Sequence, residues 1–359
     1  MLSEPYSLLA TQPRRIGFFR ALKLGDLLCA IPSIRALKHA SPQSHITLIG
    51  LPWAREFVDI FRHYFSDFIE FPGWPGLPER EVLVERIPEF LSSLQRSEFD
   101  LMIQAHGSGS HVNDMVQLSG ARYATGFYDG RVPESSLAGF IPYPAEDPEI
   151  WKCLRLAEHL GSAAQGDDLE FPVRHEHAHE MSSLLPSGAR QTPLAVIHMG
   201  AFANAARLWS AENFAVVARA LILRGFHVVL TGSALEREPV SHLESVIQIP
   251  VTNLCGKTSL GVLGALVARA RLVVCHDTGI SHLAAALKTP SVILFDRSDR
   301  EGWPPLNRKR HRFMTSFHAI EPGAVLKEID DLLASIPPSP STGPLSVEAR
   351  SMHIDQETV

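Results

Sequence analysis

Apolar residues along the chain gather into short runs, each closed by a polar turn and followed by a stretch whose apolar positions recur at helical spacing. Arg15-Ile16-Gly17-Phe18-Phe19 predicts a first strand, and residues 26–39 the helix after it. Further strands are predicted at 45–49, 68–71 and 101–104, separated by helical or loop sequence. The rhythm stops across residues 171–192, which carry His175, His177 and His179 and then Pro186 and Gly188, as expected of an interdomain connection. It resumes with strands at 194–198, 226–230, 251–254 and 272–275, interleaved with helices at 211–224, 235–245 and 260–270 and followed by a last helix at 325–335. Strands alternating with helices imply parallel sheets, so the pattern predicts an α/β protein of two domains, 1–170 and 193–335. Residues 336–359 form a Pro/Ser-rich tail expected to be disordered.

The run Leu272-Val273-Val274-Cys275 breaks into His276-Asp277-Thr278-Gly279-Ile280-Ser281-His282 and resumes as Leu283-Ala284-Ala285-Ala286-Leu287. That order reads as strand, polar turn, helix. Unpaired backbone N–H groups and the positive end of the helix dipole favour an anion there, and Gly279 allows close approach, so this turn is the candidate phosphate site. Asp277 or Thr278 acting only as a helix cap is the plainer alternative. The concentration of an acid, a hydroxyl, a glycine and a histidine at the carboxyl end of a parallel strand favours a ligand site. Leu24-Gly25-Asp26 occupies the matching edge of the first domain, where Asp26 is either a cap or a base.

With 359 residues, 45% hydrophobic and 20% charged, the chain has the composition of a globular protein large enough for two cores. A net charge of -6 leaves no basic excess for a nucleic-acid backbone, so no nucleic-acid partner is expected. The four cysteines are widely spaced and suggest neither a disulfide framework nor a zinc knuckle. No signal peptide or membrane-spanning run is evident. Cytoplasmic residence is the expectation, with room for peripheral contact at the inner face of a bacterial inner membrane.

Gly25-Asp26 followed by Ile31-Pro32-Ser33-Ile34-Arg35-Ala36-Leu37, together with Asp277-Thr278-Gly279-Ile280-Ser281-His282 and the apolar helix after it, resembles glycosyltransferase family 9 over residues 15–335. That family includes the lipopolysaccharide heptosyltransferases. The resemblance implies a GT-B fold, two Rossmann-like domains facing a cleft, the first binding the acceptor and the second a nucleotide sugar. It implies inverting, metal-independent transfer, usually of heptose from ADP-heptose, to a lipopolysaccharide core. A glycolipid or oligosaccharide acceptor and no cofactor follow. On this reading Asp26 is the base, and Asp277, Thr278, Gly279 and His282 line the diphosphate turn.

Arg207, in Arg207-Leu208-Trp209-Ser210, matches a donor-phosphate loop where the family usually has lysine. Arginine keeps the charge but replaces a point cation with a planar fork. Met199, Gly200 and Ala201 stand where the family has small hydroxyl-bearing residues. Glu236 matches an acid that contacts the ribose, or else only stabilises a first helical turn. Lys257 and Thr258 match a segment of the nucleoside pocket, and Arg131 a loop on the acceptor side, unless it is an ordinary surface arginine. The loop from Phe71 to Pro78, followed by Arg80 and Arg86, is a weaker acceptor-side candidate.

Competing motifs fail. Val251 replaces the first glycine that Gly256-Lys257-Thr258 would need as a P-loop, and Gly107-Ser108-Gly109 lacks the third glycine of a dinucleotide fingerprint. No Asp-x-Asp triplet occurs, so no metal site is assigned. His175, His177 and His179 lack a ligand from another segment and read as part of the connection. The alternatives are a transferase on this fold with another nucleotide sugar or acceptor, and a catalytically silent nucleotide-sugar-binding homologue.

Overall fold

The computed structural model describes residues 8–130, 139–200, 209–295, 307–316 and 319–336. Among them, twelve strands form two sheets of six. In the first sheet, β1 (Arg15–Phe19), β2 (His45–Gly50), β3 (Phe65–Glu70), β4 (Leu101–Gln104), β5 (Tyr123–Tyr128) and β6 (Phe140–Pro142) pair in parallel in the order β3-β2-β1-β4-β5-β6. β1 and β4 are central and in register, Ile16 opposite Leu101. Every residue of β4 and all but the first of β1 are buried, which is why both read as unbroken apolar runs. The helices here are α1 (Leu24–Ala40), α2 (Ala54–Ile60), α3 (Ile87–Arg96), α4 (Asn113–Leu118) and α5 (Glu149–His159).

The second sheet comprises β7 (Leu194–His198), β8 (His227–Thr231), β9 (Thr252–Asn253), β10 (Leu272–His276), β11 (Ser291–Phe295) and β12 (His311–Thr315), in the order β12-β11-β10-β7-β8-β9. Its helices are α6 (His175–Leu184), α7 (Ala211–Leu223), α8 (Arg237–Ile247), α9 (Leu260–Arg269), α10 (Gly279–Ala286) after β10, and α11 (Pro322–Ser335). Phe214 and Leu221 of α7, Leu243 and Ile247 of α8, and Val325, Ile329 and Leu332 of α11 close one core with β7, β8 and β10. Ser210 and Ser259 cap α7 and α9, their hydroxyls each accepting a backbone N–H at 3.2 Å.

Each sheet begins at its centre, steps outward twice, then crosses back. The crossover leaves a switch point between β1 and β4 and another between β7 and β10, the places where such sheets bind ligands beyond the strands' carboxyl ends. Two Rossmann-like α/β units are therefore present, as the periodicity predicts. The first compact unit reaches to Pro172 and takes in Asp277–Lys288, so α10 is grouped with α1 and α5, while the second contains Val173–His276 and Thr289–Leu294.

The expected connection at 171–192 includes α6, whose Ala178 and Met181 are buried three residues apart. β3 starts earlier than its apolar run because Ser66 and Asp67 continue the strand with outward-facing side chains. Among the described residues no helix is long and apolar enough to cross a membrane.

Candidate active site

The first unit's site is built on Arg20, the charged residue that ends the apolar run of β1. Its guanidinium is 1% exposed and is satisfied from three directions. Nε donates to the Asp26 carbonyl at 2.9 Å, one terminal nitrogen to the Ala105 carbonyl after β4, and the other to Glu149 Oε1 at 2.7 Å. The last nitrogen lies 3.8 Å from Asp26 Oδ1. Arg20 thereby ties the ends of the two central strands to the first turns of α1 and α5.

Asp26 stands in the first turn of α1, where Oδ2 accepts the Lys23 N–H at 3.2 Å. Burial pushes its carboxyl above the usual aspartate range; Arg20 and the Lys23 amide pull down, Glu149 pushes up, and the net direction is upward. Burial also pushes Glu149 up, but Arg20 and Lys152 outweigh it and hold that carboxyl below its usual range. Lys152 Nζ sits 3.4 Å from Glu149 Oε2 and donates to the Tyr143 hydroxyl at 3.1 Å. At the end of β4, His106 Nδ1 accepts the Ala21 N–H at 3.3 Å and Nε2 lies 3.6 Å from Glu79. Burial, assisted by Arg20, lowers its pKa to about 4, so the ring is neutral.

The sequence-predicted turn of α10 lies in the same unit, directly against α1. A methyl on Gly279 would stand 2.9 Å from Leu24 Cβ and 3.3 Å from the Gly25 nitrogen, so glycine is what lets the two first turns meet. Thr278 is the N-cap residue, yet its hydroxyl makes no capping bond; it is shielded from solvent without a hydrogen-bond partner. Asp277, Thr278 and Gly279 remain partly exposed, whereas His282 is buried. Its ring lies over Gly25, with Nδ1 3.4 Å from Cys29 Sγ, and burial lowers its pKa to about 4.

In the second unit, His276 at the end of β10 accepts the Trp209 N–H on Nε2 at 2.9 Å and donates from Nδ1 to the Met199 carbonyl. Burial holds its pKa at about 4. Glu236 is buried and accepts the Ser233 N–H, closing a capping box, so the helix-stabilising role is met. Lys257 is exposed and donates to the Asn253 carbonyl at 2.9 Å, with Thr258 beside it half-buried. Arg207, Arg131 and Ala201 lie outside the described residues. On α6, the His177 ring packs against Gly261 of α9 while His175 and His179 are exposed. Among the described residues no three His, Cys, Asp or Glu side chains converge to hold a metal ion.

Three groups at the Asp26 site escaped the sequence reading: Arg20, Glu149 and His106. Arg20 and His106 had a signal, a polar residue placed just beyond an apolar run at the sheet's centre. Glu149 had none, since 129 residues separate it from Arg20.

A family model for glycosyltransferase family 9 (heptosyltransferase) matches residues 88–322. Lipopolysaccharide heptosyltransferase 2 of Salmonella typhimurium is 33% identical over 154 residues, covering 41% of this chain and 44% of that protein, so the matched stretch spans less than half of that relative. The lipopolysaccharide core heptosyltransferase OpsX of Haemophilus influenzae is 30% identical over 290 residues, 79% of each chain. The solved structure of the E. coli ADP-heptose lipopolysaccharide heptosyltransferase II superposes with a TM-score of 0.73 at 22% identity, covering 89% of this chain and 98% of that one. That likeness shows the fold, GT-B. With the family model covering well over half its length and its two motif turns abutting, the chain belongs to glycosyltransferase family 9.

Proposed function

We propose that the protein is an inverting, metal-independent glycosyltransferase that moves heptose from ADP-heptose to a lipopolysaccharide-core acceptor. The observation that carries this reading is a half-buried carboxylate of raised proton affinity, Asp26, on a first helical turn that abuts the Asp277-Thr278-Gly279 turn. The names of the relatives supply the donor and acceptor class: ADP-heptose for the E. coli enzyme and the lipopolysaccharide core for the Haemophilus one.

Asp26 accepts the proton of an acceptor hydroxyl as that oxygen bonds to the anomeric carbon. The bond from that carbon to the diphosphate oxygen breaks on the opposite face, and the leaving group carries away the electron pair. Backbone N–H groups at Thr278 and Gly279, with Arg207, meet the charge that builds there. Each such donor supplies roughly a hundred- to a thousand-fold in rate, and a positioned base roughly a hundred- to ten-thousand-fold. Glu236, Lys257 and Thr258 hold the nucleoside, His282 backs the diphosphate turn from inside, and Arg131 serves the acceptor.

The test is a transfer assay with ADP-, UDP- and GDP-sugars on the native protein and on Asp26→Ala. Transfer from ADP-heptose alone, lost in Asp26→Ala while nucleotide affinity by calorimetry is retained, is the expected result. Undiminished turnover by that variant removes Asp26 from the mechanism, and preference for another nucleotide sugar removes the donor assignment.

A further inference from the structure

An arginine next to an aspartate ordinarily closes a bidentate pair with it, and such a pair makes the carboxylate a poor proton acceptor by lowering its pKa by about 1–3 units. Arg20 is placed to close such a pair with Asp26 but makes no hydrogen bond to its carboxylate, so it pulls the carboxyl down only through space. Its Nε is spent on the Asp26 carbonyl, one terminal nitrogen on Ala105, and the other lies 2.7 Å from Glu149 but 3.8 Å from Asp26 Oδ1, beyond hydrogen-bond reach.

We propose that Glu149 is a positioning residue for Asp26: by taking the free arm of Arg20, it lets that guanidinium fix the backbone of the α1 turn while withholding it from the Asp26 carboxylate. This rests on the reading of Asp26 as the base and adds a group that never touches substrate.

Three features hold Glu149 in this role. Its second oxygen faces Lys152 Nζ at 3.4 Å, and Lys152 is itself fixed by the Tyr143 hydroxyl at 3.1 Å. It occupies the first turn of α5, where the helix dipole favours a carboxylate. It is 7% exposed, so water does not compete for Arg20.

Among the described residues, four other titratable groups that face the cluster are uncharged near neutral pH. They are Cys29 on α1 and Cys153 on α5, both pushed up by burial, with His106 after β4 and His282 on α10, both lowered to about 4. Tyr143 faces Lys152 rather than Asp26. Burial raises the proton affinity of Asp26 most, Arg20 and Glu149 are the charges that act on it, with the Lys23 amide as a hydrogen bond, and Lys152 acts on Glu149.

The experiment is a carbon-13 titration of the Asp26 carboxyl in the full chain, assigned with Asp26→Asn, alongside the pH profile of transfer. In Glu149→Gln, Arg20 turns onto Asp26 and the charge that pushed that carboxyl up is gone, so its midpoint falls by about one unit or more and the acid limb of kcat/KM moves down with it. Glu149→Asp, which keeps the charge and draws the carboxylate back by one methylene, isolates the release of Arg20: it shifts the midpoint the same way by less, and the absence of a shift there overturns the proposal. An unmoved Asp26 midpoint in a folded variant overturns the proposal. A shifted midpoint with Asp26→Asn still turning over keeps Glu149 in place and removes only the base.

Discussion

Gly25→Ala adds one methyl group at the junction on which the site depends. Gly25 does not use a left-handed backbone, so alanine suits its conformation and the perturbation is purely one of space. The methyl would lie 2.7 Å from His282 Cδ2, 3.4 Å from Nε2 and 3.5 Å from Cγ. Carbon atoms pack best at about 3.5–4.0 Å, so the ring has to retreat by about 1 Å. It has little room to do so, being 4% exposed and set against Cys29. Overpacking of this kind costs about 1–3 kcal/mol, and replacing a helical glycine returns about 0.5–1 kcal/mol. The net expectation is a loss of about 1–2 kcal/mol, with Tm falling about 2–4 °C per kcal/mol. Urea and thermal unfolding of the wild type, Gly25→Ala, His282→Ala and the double variant measure it. With the ring gone the methyl has space, so the two substitutions should couple by at least about 1 kcal/mol. A Gly25→Ala protein as stable as the wild type, or one equally destabilised in the His282→Ala background, refutes the packing of α10 on α1 argued above.

Acid should weaken the protein in a defined window. His106, His276 and His282 are buried neutral with pKa values near 4 against an ordinary 6.5. The unfolded chain therefore binds protons that the native one refuses: stability is fully present above about pH 6.5 and falls toward pH 4, each histidine contributing up to about 1.4 kcal/mol per pH unit. Urea midpoints that stay level from pH 6.5 to pH 5 would contradict their neutral burial. His276→Phe keeps a ring beside Phe214 but leaves the Met199 carbonyl and the Trp209 N–H bare, at about 1–3 kcal/mol for each. A denaturant midpoint unchanged from the wild type would show that those two bonds are dispensable.

Much of this fold was legible because central parallel strands are buried on both faces. β1, β4 and β7 coincide with their apolar runs, and α9 starts where predicted. Not every edge was. β9 fills only two residues of the strand expected at 251–254, while β6, three residues long and ending at Pro142, is not buried enough to leave a pattern. α6 hid behind its histidines, since only Ala178 and Met181 mark the buried side. At the site, Asp26 could be found from its place between a strand and a helix. What surrounds it could not, because Glu149 arrives through tertiary packing of α5 on α1 and a sequence carries no local mark of that meeting.

Eleven of the seventeen residues of α1 are buried, including the glycine beside Asp26. A helix so enclosed has scarcely any dry–wet boundary along which to slide or tilt. The carboxylate mounted on its opening turn therefore rides on a helix most of whose residues are packed, while the surrounding loops are freer to change. Those loops can alter in length and sequence without moving the place at which the helix holds Asp26.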